Sequence, residues 1–139
     1  MNNFYKEIFG NALEPIIEPE LNKLIITPHV CNNIRKFGAG FAKAVAKKYP
    51  EAKKQYLQGT GQPPDNCQFV PVNESVSHPI IIVNMIAQNG VRGPNNPTPI
   101  KYEALIKCMV CIREFILPLT GFNSSIHCCK FGSGLAGGD

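Results

Sequence analysis

Leu24-Ile25-Ile26-Thr27-Pro28-His29-Val30-Cys31-Asn32-Asn33, then Gly38-Ala39-Gly40 and Phe41-Ala42-Lys43-Ala44-Val45-Ala46-Lys47-Lys48-Tyr49, is the stretch that decides the fold. Its first part is a short apolar run rich in β-branched residues, as in a buried strand, and it runs out into a polar loop at Asn32-Asn33. Its last part has apolar residues at 41, 42, 45, 46 and 49, the spacing of one helical face. A helix therefore begins directly at a glycine loop, and the loop after the strand is where chemistry can sit.

Pro50 stops this helix and opens a second short one over 51–57, because proline is tolerated in a first helical turn. A turn-rich stretch over 59–66 leads to strands at 68–72 and 78–88. In the second, Ile80-Ile81-Ile82-Val83 is apolar on both faces, as a strand covered on both sides must be. Residues 89–99 hold three prolines and two glycines and form a long loop, a candidate lid. A strong helix opens at Tyr102, with Leu105, Met109, Ile112 and Phe115/Ile116 recurring every three to four residues until Pro118. A last strand is expected over 125–131 and a first one over 4–9, broken by Gly10-Asn11. Strands and helices in this order imply a three-layer α/β/α sandwich, with ligands bound where strands end in loops.

Bulk properties agree with a single domain over 1–139, a length that buries a core without staples. The apolar run at 80–83, even extended across Asn84 to Ala87, is far short of the ~20 residues that span a bilayer. The N-terminus has an acid close behind its first base and no apolar segment after it, so no secretory signal is read and a cytoplasmic location is expected. A formal charge of +4 suits an anionic ligand, and by itself is too mild to argue for nucleic acid. The lysines at 43, 47, 48, 53 and 54, which supply most of that excess, read as a solvated helix face. The six cysteines, with Cys108/Cys111 and Cys128-Cys129 both inside apolar runs, read as reduced, buried thiols; neither a metal nor a cofactor is expected.

Two glycine-rich segments, Gly38-Ala39-Gly40 and the run over 132–138, allow backbone N–H groups to converge on an anion without a Cβ in the way. A helix N-terminus adds about half a positive charge. Together they describe a diphosphate clamp. Neither ends in the Gly-Lys-Ser/Thr of a P-loop.

His29-Val30-Cys31-Asn32, Gly38-Ala39-Gly40-Phe41, Asn84-Met85-Ile86-Ala87-Gln88, Pro99-Ile100-Lys101-Tyr102-Glu103-Ala104-Leu105, Ser125-Ile126-His127 and Gly132-Ser133-Gly134-Leu135-Ala136-Gly137-Gly138-Asp139 resemble, in order and over nearly the whole chain, the macro domain family. The similarity is greatest to its ADP-ribose-1″-phosphate phosphatase-like branch.

The resemblance implies a mixed central sheet and ADP-ribose or a related nucleotide as ligand. Asn32 would lie beside the distal ribose. Gly38, Ala39, Gly40 and Phe41 would form the first phosphate loop, and Ser133, Gly134, Leu135, Ala136 and Gly137 the second. Asn11, next to Ala12, stands where the family has an aspartate that accepts from the adenine amino group. An amide can still accept, without the charge that makes such bonds roughly twice as strong.

The family's deglycosylating members use a lysine where Gln88 aligns and an acid where Ala136 aligns, which disfavours a covalent lysine mechanism. Removal of the 1″ phosphate would instead use Asn32 and Gln88 to position groups and Asp139 to orient water. A non-catalytic reader of ADP-ribose and an ADP-ribosyl hydrolase are the alternatives. The family pattern continues past Asp139 with an aromatic residue and a closing helix. The expected sandwich thus lacks that helix, and self-association is expected if the protein ends there.

Overall fold

The computed structural model describes residues 10–15, 22–59 and 66–129. The expected strand over 4–9, the second glycine segment and Asp139 lie outside the described residues. Four strands, β1 (Lys23–Asn32), β2 (Asn66–Pro71), β3 (Ile80–Gln88) and β4 (Asn123–Ile126), form one sheet in the order β2-β3-β1-β4. β1 runs parallel to β3 and β4, while β2 is antiparallel to β3, so the sheet is mixed. Helices α1 (Gly40–Lys48), α2 (Pro50–Gln58) and α3 (Tyr102–Ile116) complete the α/β/α arrangement.

Alternation along the strands builds the two cores. Leu24 and Ile26 of β1 with Ile81, Val83, Met85 and Ala87 of β3 face Leu105, Cys108 and Ile112 of α3. The opposite face sets Cys31, Ile82 and Ile86 against Val45 of α1 and Ala52 and Tyr56 of α2. Successive strand residues point to opposite faces, so an apolar run such as 80–83 must be covered on both. The outer side of α3 leaves Ile106, Met109 and Val110 exposed, and Leu117 just past its end is exposed as well.

The last strand is shorter than its sequence pattern. β4 stops at Ile126 instead of running on to 131, and Pro28 supplies a reason. Odd-numbered amides of β1 point to β3, as Ile25 donating to the Pro79 carbonyl and Asn33 to that of Gln88 show. The even-numbered ones point to β4, and Pro28 has no N–H to give there, so the ladder ends after His127 donates to the Ile26 carbonyl. One consequence corrects the cysteine reading. Cys128 and Cys129 lie past the strand and are exposed, whereas Cys31 and Cys108 are buried and Cys67 and Cys111 half-buried.

Candidate functional site

The parallel strands β1 and β3 end side by side, with Asn32 opposite Gln88 after an irregularity at Cys31/Asn32. The loops that leave these ends carry the candidate residues. Asn32 is buried, and its side chain is engaged within its own loop. Its Oδ1 accepts from the backbone N–H of Ile34 (3.0 Å) and Lys36 (3.1 Å), and its Nδ2 donates to the Lys36 carbonyl at 2.6 Å. The Tyr56 hydroxyl reaches across from α2 to the Asn32 Oδ1 (2.7 Å) and backbone carbonyl (2.8 Å). Burial pushes the Tyr56 phenol up to about 12, so it stays a donor at neutral pH.

Tyr56→Phe keeps the ring beside Phe37, 5.0 Å between centroids, and removes only that donor. A loss of about 1 kcal/mol is expected, because Asn32 keeps its backbone partners. Urea unfolding checks this as a lower midpoint at unchanged slope.

A second amide joins the two strand-end loops. The Asn33 Oδ1 accepts from the Gly90 N–H (2.9 Å), and its Nδ2 donates to the Asn89 Oδ1 (3.1 Å). Asn96 holds the far side of the 89–99 loop by donating to the Asn89 and Val91 carbonyls. Gln88 donates to the Gly90 carbonyl at 3.0 Å. The two positions that lead the sequence reading, Asn32 and Gln88, are thus adjacent, and each is bonded within the loop that follows it.

The glycine loop sits between β1 and α1. Gly40 has φ of 58°, a left-handed conformation that favours glycine, and it opens α1 behind Ala39 at the cap position. Among the described residues no side chain caps this terminus, and no acid lies in its first turn to meet the positive end of the helix. Among the described residues, nothing lies within 4 Å of where a Cβ of Gly38 would be. Phe41 turns inward, half-buried, with its ring edge-on to His29 at 5.9 Å. Asn11 and Ala12 belong to a separate turn, in which the Asn11 Oδ1 accepts from the Leu13 N–H at 2.9 Å. Ser133, Gly134, Leu135, Ala136 and Gly137 fall outside the described residues with Asp139.

Beneath the loop lies a buried polar network. The His29 Nε2 is 2.7 Å from the Asn84 Oδ1, and the Asn84 Nδ2 donates to the Ala52 carbonyl (3.0 Å) and the Gln68 Oε1 (3.1 Å). Because that Oδ1 can only accept, the His29 proton is on Nε2. Burial lowers the His29 pKa to about 4, against the raising effect of the Asn84 bond, so the ring is neutral. The Cys31 thiol lies against the ring, 3.7 Å from Nε2 and 3.8 Å from Nδ1, and 3.9 Å from the Asn84 Oδ1; burial holds that thiol well above its usual range. The network ties β1, β3, β2 and the start of α2 together under the candidate loop. Asn84 is a polar residue interrupting an apolar strand, and that interruption is the sequence signal that marks it. Among the described residues, no cluster of three or more His, Cys, Asp or Glu is placed to hold a metal ion.

Comparison with solved structures defines the class. A macrodomain protein from Streptomyces coelicolor superposes with a TM-score of 0.67 at 23% identity, covering 90% of this chain and 78% of that one. The fold is that of a macrodomain. Two structures from Bacteroides thetaiotaomicron are more similar. One, described as a protein of unknown function, has a TM-score of 0.76 at 31% identity over 95% of this chain and 80% of its own. The other has a TM-score of 0.73 at 29% identity, covering 94% and 80%. The chain belongs to the same family as the first of these Bacteroides proteins. No family model matches the chain, and no curated protein matches it.

Proposed function

We propose that this protein binds ADP-ribose, with the nucleotide diphosphate held over the Gly38-Ala39-Gly40 loop at the C-terminal ends of β1 and β3. The observation that carries this reading is the uncapped start of α1 behind a left-handed Gly40, set at the strand ends of a macrodomain fold. Converging N–H groups and a helix terminus suit a diphosphate, and the absence of an acid in the first turn removes a competitor for them. In open α/β sheets ligands bind at this edge.

Turnover is a second step of the proposal. A phosphatase acting on ADP-ribose-1″-phosphate would need Asn32 and Gln88 to position the phosphoryl group and Asp139 to orient the attacking water. The bonds of the Asn32 and Gln88 amides to their own loops favour the other reading, a reader that binds ADP-ribose without turning it over. Hydrolysis of an ADP-ribosyl bond is the third reaction class, without a lysine at position 88 to attack.

Calorimetric titration with ADP-ribose, with ADP and AMP as controls, tests the binding step. Selective binding of ADP-ribose is expected, and no heat of binding with any of the three would end the proposal. Phosphate release from ADP-ribose-1″-phosphate by protein that binds ADP-ribose separates phosphatase from reader.

A further inference from the structure

The modest net charge of the whole chain conceals a strong local concentration. Residues 33–58, which span the β1–α1 loop, α1 and α2, hold seven of the fourteen Lys and Arg residues and one of the ten Asp and Glu residues. Arg35, Lys36, Lys43, Lys47, Lys48, Lys53 and Lys54 are all exposed. The one carboxylate of the stretch is Glu51. Lys43 and Lys47 are one turn apart on the same side of α1, separated by about 6 Å along its axis. Lys36 lies in the loop that leads into this helix, next to Arg35, whose φ of 65° is a left-handed conformation that costs a non-glycine residue energy. Lys47 and Lys48 stand in the last turn of α1, where cations favour its negative end, and the Lys48 Nζ also donates to the Leu13 carbonyl and lies 5.6 Å from the centre of the Tyr49 ring. Lys36, Lys43, Lys53 and Lys54 stand in the last turn of neither helix.

We infer that this face is an electrostatic docking surface for the phosphate backbone of a nucleic-acid duplex. The side chains between the cations decide the class of partner. Ile34 and Leu57, near the two ends of the stretch, are its exposed large apolar residues, so there is no apolar face to insert into a lipid bilayer. Its aromatic rings are turned inward: Phe37 and Tyr56 are buried, and Phe41 and Tyr49 half-buried. A surface without exposed rings cannot stack unpaired bases, which is how single strands are held. What it offers is point charges, and these match the dense, regular phosphates of a duplex without reading its sequence. The inference does not rest on the ADP-ribose reading, because its test contains no such nucleotide.

The test is fluorescence anisotropy of a labelled DNA duplex of about 20 base pairs at about 50 mM salt, with salt as the second variable. Binding in the micromolar range is expected, with log K falling linearly in log salt. Lys43→Glu/Lys47→Glu should weaken binding at least ~10-fold and reduce the salt slope by about 2, since two phosphate contacts are lost. Lys101→Glu/Arg113→Glu makes the same change of net charge on exposed positions at α3 and should stay within about 3-fold of the parent protein. The inference is overturned by any of three results: no binding at about 100 μM protein; equal losses in the two variants; or tighter binding to the single strand, or to phosphatidylserine vesicles, than to the duplex.

Discussion

Asn84→Leu is expected to lower the free energy of unfolding by about 3 kcal/mol, a large share of the roughly 5–15 kcal/mol that keeps a domain folded. The substitution matches the shape of the amide and removes all of its polarity. Asn84 is fully buried and bonds to three groups on three elements: His29 on β1, the Ala52 carbonyl on α2 and Gln68 on β2. Leucine leaves the His29 Nε2–H without its acceptor in the core, where a buried unpaired group costs about 1–3 kcal/mol, and it removes the second donor of the Ala52 carbonyl, which keeps its bond within α2. The half-exposed Gln68 can turn to water and adds little. For a chain of this size the loss corresponds to a fall in Tm of about 10 °C. Thermal and urea unfolding measure it, and a change below about 1 kcal/mol would mean that the network is not held as described.

The second large effect is a dependence of stability on pH. The folded His29 pKa is about 4 because burial disfavours the charged ring, whereas in the unfolded chain it has the ordinary histidine value of 6.5. Between these values the unfolded chain binds a proton that the folded one does not, so stability falls as pH falls. The contribution is fully present above pH 6.5 and lost by about pH 4. Its size is about 3 kcal/mol, from ~1.4 kcal/mol for each pH unit that separates the two values. His127, half-buried and near Lys23, is lowered in the same direction and adds to the same window. The difference in stability between the parent protein and His29→Gln isolates the buried ring, because the other groups cancel. That difference should shrink in the parent's disfavour as pH drops from 7 to 4, and a constant difference would contradict a neutral buried His29.

Much of this fold is legible in local patterns, because β1, β3, α1 and α3 each advertise their character in nine to fifteen residues. The apolar spacing at 41, 42, 45, 46 and 49 puts α1 within a residue of its observed bounds. The turn at Pro50 gives α2 for a similar reason, a proline at the first helical position. Where local pattern fails, the cause is a partner elsewhere in the chain. The length of β4 depends on Pro28, about a hundred residues earlier, and so does the exposure of Cys128 and Cys129.

The candidate site divides along the same line. Its glycine loop can be read from sequence, since Gly38 and Gly40 sit where a strand gives way to a helix. The roles of Asn33 and Tyr56 cannot, because each bond joins residues from 24 to 57 positions apart. An asparagine in a loop looks the same whether it faces a ligand or clips two loops together. The cationic face is visible as a run of lysines, but its meaning depends on which way the neighbouring rings and apolar side chains turn.

In the proposed complex the loop between β1 and α1 receives the diphosphate of ADP-ribose. Amide chemical-shift mapping of 15N-labelled protein during an ADP-ribose titration tests it most directly. The largest shifts are expected on the N–H groups of Gly38, Ala39, Gly40 and Phe41, with smaller ones on Asn33 and Gly90 at the neighbouring strand ends. Saturable shifts confined to α3 and β4, or none at all at millimolar nucleotide, would contradict it.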